Sequence, residues 1–135
     1  MKLTKSLAFV TNKSITGTKS YFTDLKKYVC LHPLMLKTDL VETATYKLYE
    51  QPFAWLPLRI TYFANVIENK NNVTYLIMGI PLTKARFDYT FVETGPISTT
   101  IDLTIQLNGL PLVNHIIMKL MMDAQHTIFE KLNQQ

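Results

Sequence analysis

The 135-residue chain reads as an α+β fold. We expect a curved antiparallel sheet of about seven strands, two short helices after the first strand, and one long C-terminal helix. Three observations predict this. Ala85, Phe87, Tyr89 and Phe91 alternate with Lys84, Arg86, Asp88 and Thr90, and the pattern resumes after a turn with Ile101, Leu103, Ile105 and Leu107. Such period-two runs make antiparallel sheet with one wet and one buried face. From Pro111 to Asn133 the period becomes helical, and apolar residues cover roughly two-thirds of the circumference, against about 100° for an ordinary surface helix. That helix must be gripped by a curved sheet or covered by a partner. Finally, KKYVCLHPLM passes from a helix-like run to a strand at His32-Pro33, because the residue before a proline avoids the helical region.

The elements follow in order. Leu3 to Thr11 is a first strand, broken at Ser14 to Gly17. Thr18 or Ser20 can cap a short helix carrying Phe22 and Leu25, and Asp24 can cap a second, Leu25 to Leu31, with Tyr28 and Val29 inward. Leu36, Thr38, Leu40 and Glu42 then alternate with Lys37, Asp39 and Val41; Tyr46, Leu48 and Glu50 alternate with Lys47 and Tyr49. Gln51 to Pro57 is a loop between two prolines, holding Trp55. Leu58 to Glu68 is a long strand with Ile60, Tyr62, Ala64 and Val66 on one face. Asn69-Lys70-Asn71-Asn72 is a turn into the return strand Val73 to Met78. Thr94-Gly95-Pro96 turns the two cleanest strands, and Asn108-Gly109-Leu110-Pro111 leads into the terminal helix, where Pro111 suits the first turn. Its polar stripe is Lys119, Asp123, His126 and Glu130.

Composition narrows the function classes. At 47% hydrophobic and 18% charged, the chain is globular, and its length fits one domain over residues 1–135. No apolar run reaches the roughly 20 residues of a membrane span. The N-terminus lacks a small-residue cleavage site and reads as a strand, so a cytoplasmic location is expected. Cys30 is the single cysteine, which excludes a disulfide framework and a multi-thiolate zinc site. The net charge of +4 is spread along the chain without the basic stripe of a nucleic-acid binder.

Catalytic motifs are sparse. Cys30 and His32 have no second ligand cluster, so no metal is expected; His32 should satisfy backbone groups at a helix end, and Cys30 should be a small buried residue. His115 and His126 lie on or beside the polar stripe and read as solvated. The isolated glycines form no phosphate loop, and no cofactor is expected. Tyr62 and Tyr89 share faces with apolar neighbours, so each hydroxyl needs a partner.

The element order carries a resemblance. Phe22-Thr23-Asp24-Leu25-Lys26-Lys27-Tyr28-Val29 running into His32-Pro33, and the ending from Thr99-Thr100-Ile101-Asp102 through Pro111 to Leu132, resemble the helix-grip fold of the SRPBCC superfamily. That superfamily includes birch-pollen-allergen-like, START lipid-transfer and polyketide cyclase/dehydrase proteins. The resemblance covers nearly the whole chain and implies a deep apolar pocket between sheet and terminal helix. It implies a pocket more strongly than an activity.

The lining expected on this basis is Ile60, Tyr62, Phe87, Tyr89, Phe91, Met118, Met121 and Met122, with Trp55 as lid or plug. Arg59 would sit at the mouth, facing either a ligand carboxylate or water. The first functional expectation is a binder or carrier of a small apolar molecule such as a lipid, polyketide or quinone. A cyclase or dehydratase is the second; the inward faces offer it tyrosines but no carboxylate, unless a register slip turns Asp88 or Asp102 inward. The third is a protein-interaction module, with a homodimer one way to cover the apolar arc.

Overall fold

The computed structural model describes residues 2–53 and 55–135. The elements are β1 (Lys2–Thr11), α1 (Ile15–Thr23), α2 (Leu25–Leu31), β2 (Met35–Glu42), β3 (Thr45–Glu50), β4 (Ile60–Asn69), β5 (Asn72–Met78), β6 (Thr83–Gly95), β7 (Ser98–Gly109) and α3 (Pro111–Asn133). The strands form one seven-stranded sheet in the order β1-β7-β6-β5-β4-β3-β2, with antiparallel neighbours throughout. This is the expected α+β architecture. Ala85, Phe87, Tyr89 and Phe91 of β6 and Ile101, Leu103, Ile105 and Leu107 of β7 are buried, so the alternation marks the inner face as read.

α3 crosses that face from one end of the sheet to the other. At its start Leu110 N–H donates to the Leu82 carbonyl (3.4 Å), beside the β5–β6 connection. At its far end Asn133 Oδ1 accepts from Asn12 N–H (3.0 Å), and Asn133 Nδ2 donates to the Val10 carbonyl (3.2 Å). The β3–β4 and β5–β6 connections and the β7–α3 junction therefore share one end of the molecule. Lys119, Asp123, His126 and Glu130 are exposed. Met118, Ala124, Gln125, Ile128, Phe129 and Leu132 are buried, but Leu112 and Ile116 remain in solvent, so the sheet grips the distal part of α3 and leaves its start partly bare. Among the described residues no helix is long and apolar enough to cross a membrane.

Local readings differ at five places. Ser14, not Thr18 or Ser20, caps α1, its Oγ accepting from Gly17 N–H (3.1 Å). Thr18 is thereby carried inside, where its hydroxyl meets that of Thr11 at 2.9 Å. Leu25 belongs to α2 alone, whose cap is Asp24 as expected. β2 breaks its alternation at irregularities between Met35/Lys37 and Leu40/Glu42, so Met35 and Thr38 are buried while Leu36, Leu40 and Val41 face solvent. β4 begins at Ile60 and not Leu58, because the proline-bounded loop carries the chain up to Arg59. Cys30 is exposed, correcting its buried reading: it lies off the Leu25–Tyr28–Leu31 face of α2, and its thiol donates to the Lys26 carbonyl (3.4 Å).

Candidate functional site

Where α3 lifts from the sheet, a cavity of about 80 Å³ remains. One water needs roughly 10–15 Å³ of such space, so this holds several waters or a small organic group. β4 contributes Ile60 and Tyr62, β5 Tyr75 and Ile77, and β6 Phe87. α3 closes the other side with Ile117, Leu120, Met121, Ala124 and Gln125, and α2 adds Leu25, Tyr28 and His32. The period-two spacing of the strands and the i,i+4 spacing of Ile117 and Met121 aim these side chains at one space.

Three polar groups interrupt the apolar wall. The Tyr62 hydroxyl donates a hydrogen bond to Glu50 Oε2. Burial raises the Glu50 carboxyl above the usual range, and the tyrosine bond only partly offsets this. Burial first, then the Glu50 charge, holds the Tyr62 phenol well above its ordinary value, so the shared proton stays on tyrosine. His32 Nδ1 accepts from both Leu34 N–H and Met35 N–H, at 3.1 Å each. That assigns the proton of the neutral imidazole to Nε2. Burial and, secondarily, the Lys131 charge lower its pKa to about 4. His32 thus satisfies backbone groups as expected, but as a neutral acceptor.

The third group is a closed ring. Gln125 Nε2 donates to the Tyr28 hydroxyl (2.9 Å), and the Tyr89 hydroxyl donates to Gln125 Oε1 (2.9 Å). The Tyr28 and Tyr89 oxygens lie 3.2 Å apart, and since the Tyr89 proton is already given to Gln125, Tyr28 donates this bond. Burial pushes the Tyr28 phenol up to about 12. The ring joins α2, β6 and α3, three elements that could otherwise slide.

Of the lining residues expected from sequence, Ile60, Tyr62, Phe87 and Met121 meet at the cavity. Tyr89 lies behind it, bound into the ring. Phe91 is deeper still, its ring 5.6 Å from that of Phe22. Met118 is buried in the core and Met122 packs at its margin. Trp55 is exposed beside Phe53, with ring centroids 5.9 Å apart, and Arg59, just before β4, is exposed too. Asp102 faces solvent, and Asp88 points outward to Arg86 (2.8 Å) and Thr74 (2.7 Å). The inner face does hold a carboxylate, however: Glu50, with His32 nearby on the same lining. Its parity with Tyr46 and Leu48 was the available signal. Gln125 gave only the weaker one of lying off the charged stripe.

No family model matches the chain, and no curated protein matches it in sequence. Solved structures do match in shape. A START superfamily protein from Mycobacterium smegmatis aligns over 98% of this chain and 94% of its own, at TM-score 0.78 and 14% identity. The Zhui aromatase/cyclase from Streptomyces sp. R1128 aligns over 99% and 95%, at TM-score 0.81 and 8% identity. Ara h 8.0201 aligns over the full length of both chains, at TM-score 0.75 and 11% identity.

The chain has the START-like, helix-grip fold of the SRPBCC proteins. Within this START-like fold, Glu50 can accept or return a proton and His32 can donate through Nε2. Among the described residues no group of three or more His, Cys, Asp or Glu is placed to hold a metal.

Proposed function

We propose that this START-like chain binds a small, largely apolar molecule in the cavity under α3. The observation that carries the reading is the cavity itself, with apolar walls on both sides and polar atoms at Glu50–Tyr62 and His32. Such sites bind by removing apolar area from water, about 25 cal/mol per Å², while a few polar groups fix orientation. Ile60, Phe87 and Met121 supply contact, Tyr62 and Glu50 orientation. Tyr89, Phe91, Met118 and Met122 support the wall, and Trp55 and Arg59 belong to the rim. A reducing cytoplasm suits the lone exposed Cys30.

The test is native mass spectrometry of freshly purified protein, followed by organic extraction and titration with hydrophobic fluorescent probes. A stoichiometric apolar adduct is expected, with saturable probe binding that Met121→Trp reduces at least tenfold by filling the space. Protein alone, with no probe binding, rejects the reading.

A cyclase- or dehydratase-type enzyme is the second reading, and Glu50 favours it: a buried carboxyl of raised pKa facing a ligand space is a usable acid or base. On this reading the extracted molecule changes mass on incubation with the protein, and Glu50→Gln stops the change while leaving binding intact.

A further inference from the structure

The end of the molecule where α3 begins exposes several large apolar side chains. Trp55 is 79% exposed, Leu58 50%, Leu82 65%, Leu110 53%, Leu112 73% and Ile116 50%. They come from three separate places: the β3–β4 loop, the β5–β6 loop, and the β7–α3 junction with the first turns of α3. All three flank one feature, for Pro52 lines the cavity from the first loop, and Ile80 and Ile117 from the other two. Large exposed apolar patches on a folded chain mark an interaction site.

Two of these leucines occupy positions that disfavour leucine. Leu82 has φ 65°, a left-handed conformation that a bulky side chain resists and glycine or asparagine adopts readily. Leu110 is the N-cap of α3 and gives it no side-chain hydrogen bond, where serine or aspartate would. At both positions stability is forgone and an apolar side chain is presented to solvent. Local rules broken without a packing gain point to function.

The charges around the patch have one sign. Lys2, Arg59 and Lys84 are exposed there. The one carboxylate at this end among the described residues, Glu50, is turned inward to Tyr62. Glu42, Glu68 and Glu93 lie toward the opposite end of the sheet. A tryptophan and leucines that share this end with three exposed cations, its carboxylate turned inward, match the interface of an anionic bilayer: the apolar tips enter the headgroup region and the cations meet lipid phosphates.

We propose that this end of the molecule docks on anionic membrane surfaces, placing the cavity mouth against the lipid. The docking does not depend on what the cavity holds, so it stands or falls apart from the binding reading above.

Trp55 is the only tryptophan, which makes it a built-in reporter. The test titrates the full chain with vesicles of phosphatidylcholine, with and without phosphatidylglycerol, following Trp55 emission and co-sedimentation. A blue shift and co-sedimentation are expected with the anionic vesicles, weakened by added salt, and little of either with phosphatidylcholine alone. The double variant Leu82→Gly, Leu110→Ser should keep or raise Tm and bind the anionic vesicles at least roughly tenfold more weakly, the scale expected from removing two leucines from an apolar contact. Absence of a shift, or equal binding by that variant, overturns the proposal. A shift that tracks protein concentration without vesicles, with a doubled mass, also overturns it and assigns the patch to a second copy of the chain.

Discussion

His32 shows how much one side chain carries here. Its Nδ1 closes the α2–β2 corner by accepting two backbone N–H groups, which only the deprotonated nitrogen can do. The folded pKa of about 4 lies below the ordinary 6.5. A depressed histidine stabilises the fold above the unfolded pKa, and that stability is lost as pH falls from about 6.5 through about 4. The loss amounts to a few kcal/mol at most, on the order of 1.4 per pKa unit. Urea unfolding between pH 7 and pH 4 should show this slope. His32→Asn, whose amide oxygen can accept the same bonds without titrating, should flatten it. The histidine's capping role was legible from His-Pro alone. Its neutrality was not, since that depends on burial and on Lys131 from the far end of the chain. Glu50 was hidden for a related reason: parity put it on the inner face, but only tertiary pairing with Tyr62 lets a carboxylate stay there.

At the scale of elements, the junction of β6, β7 and α3 is the tightest point. A Cβ at Gly109 would lie 2.2 Å from the Leu82 carbonyl oxygen and 2.8 Å from Thr83 Cα, both backbone atoms. The strands cannot yield without parting. Gly109→Ala should therefore cost at least about 2 kcal/mol, read as a lower urea midpoint with unchanged m-value. Asn114, one turn into α3, anchors the same corner by accepting from the Thr83 hydroxyl (2.9 Å). Most elements could be read directly, because β6, β7 and α3 keep strict periods over many residues. β2 could not: its irregularities arise from the way an edge strand bends to follow the curved sheet, and no residue there announces them.

For the molecule as a whole, the gap under α3 is incomplete packing that a ligand would complete. A ligand that binds only the folded state, at about a hundredfold excess over its Kd, adds roughly 2.7 kcal/mol, or several degrees in Tm. Differential scanning calorimetry with the molecule recovered by extraction should show that rise in the wild type and little in Met121→Trp. An unchanged wild-type Tm would mean that the extracted molecule does not belong to the cavity. The overall architecture was legible because the width of the apolar arc on α3 demands a concave sheet. The size of the remaining space was not, since it depends on rotamers and on the Tyr28–Tyr89–Gln125 ring.

The pairing of β1 with β7 has a consequence for how the chain is made. Ser6 and Thr104, whose hydroxyls meet at 3.3 Å, are 98 residues apart. During synthesis the earliest strand of this sheet is the last to find its neighbour. It waits as a bare edge, with Leu3, Leu7 and Phe9 uncovered, until most of the protein has followed. Nascent copies crowded on one message would expose that edge together. Lys2 and Lys5, spaced along it, keep such neighbours apart by like charge until β7 arrives.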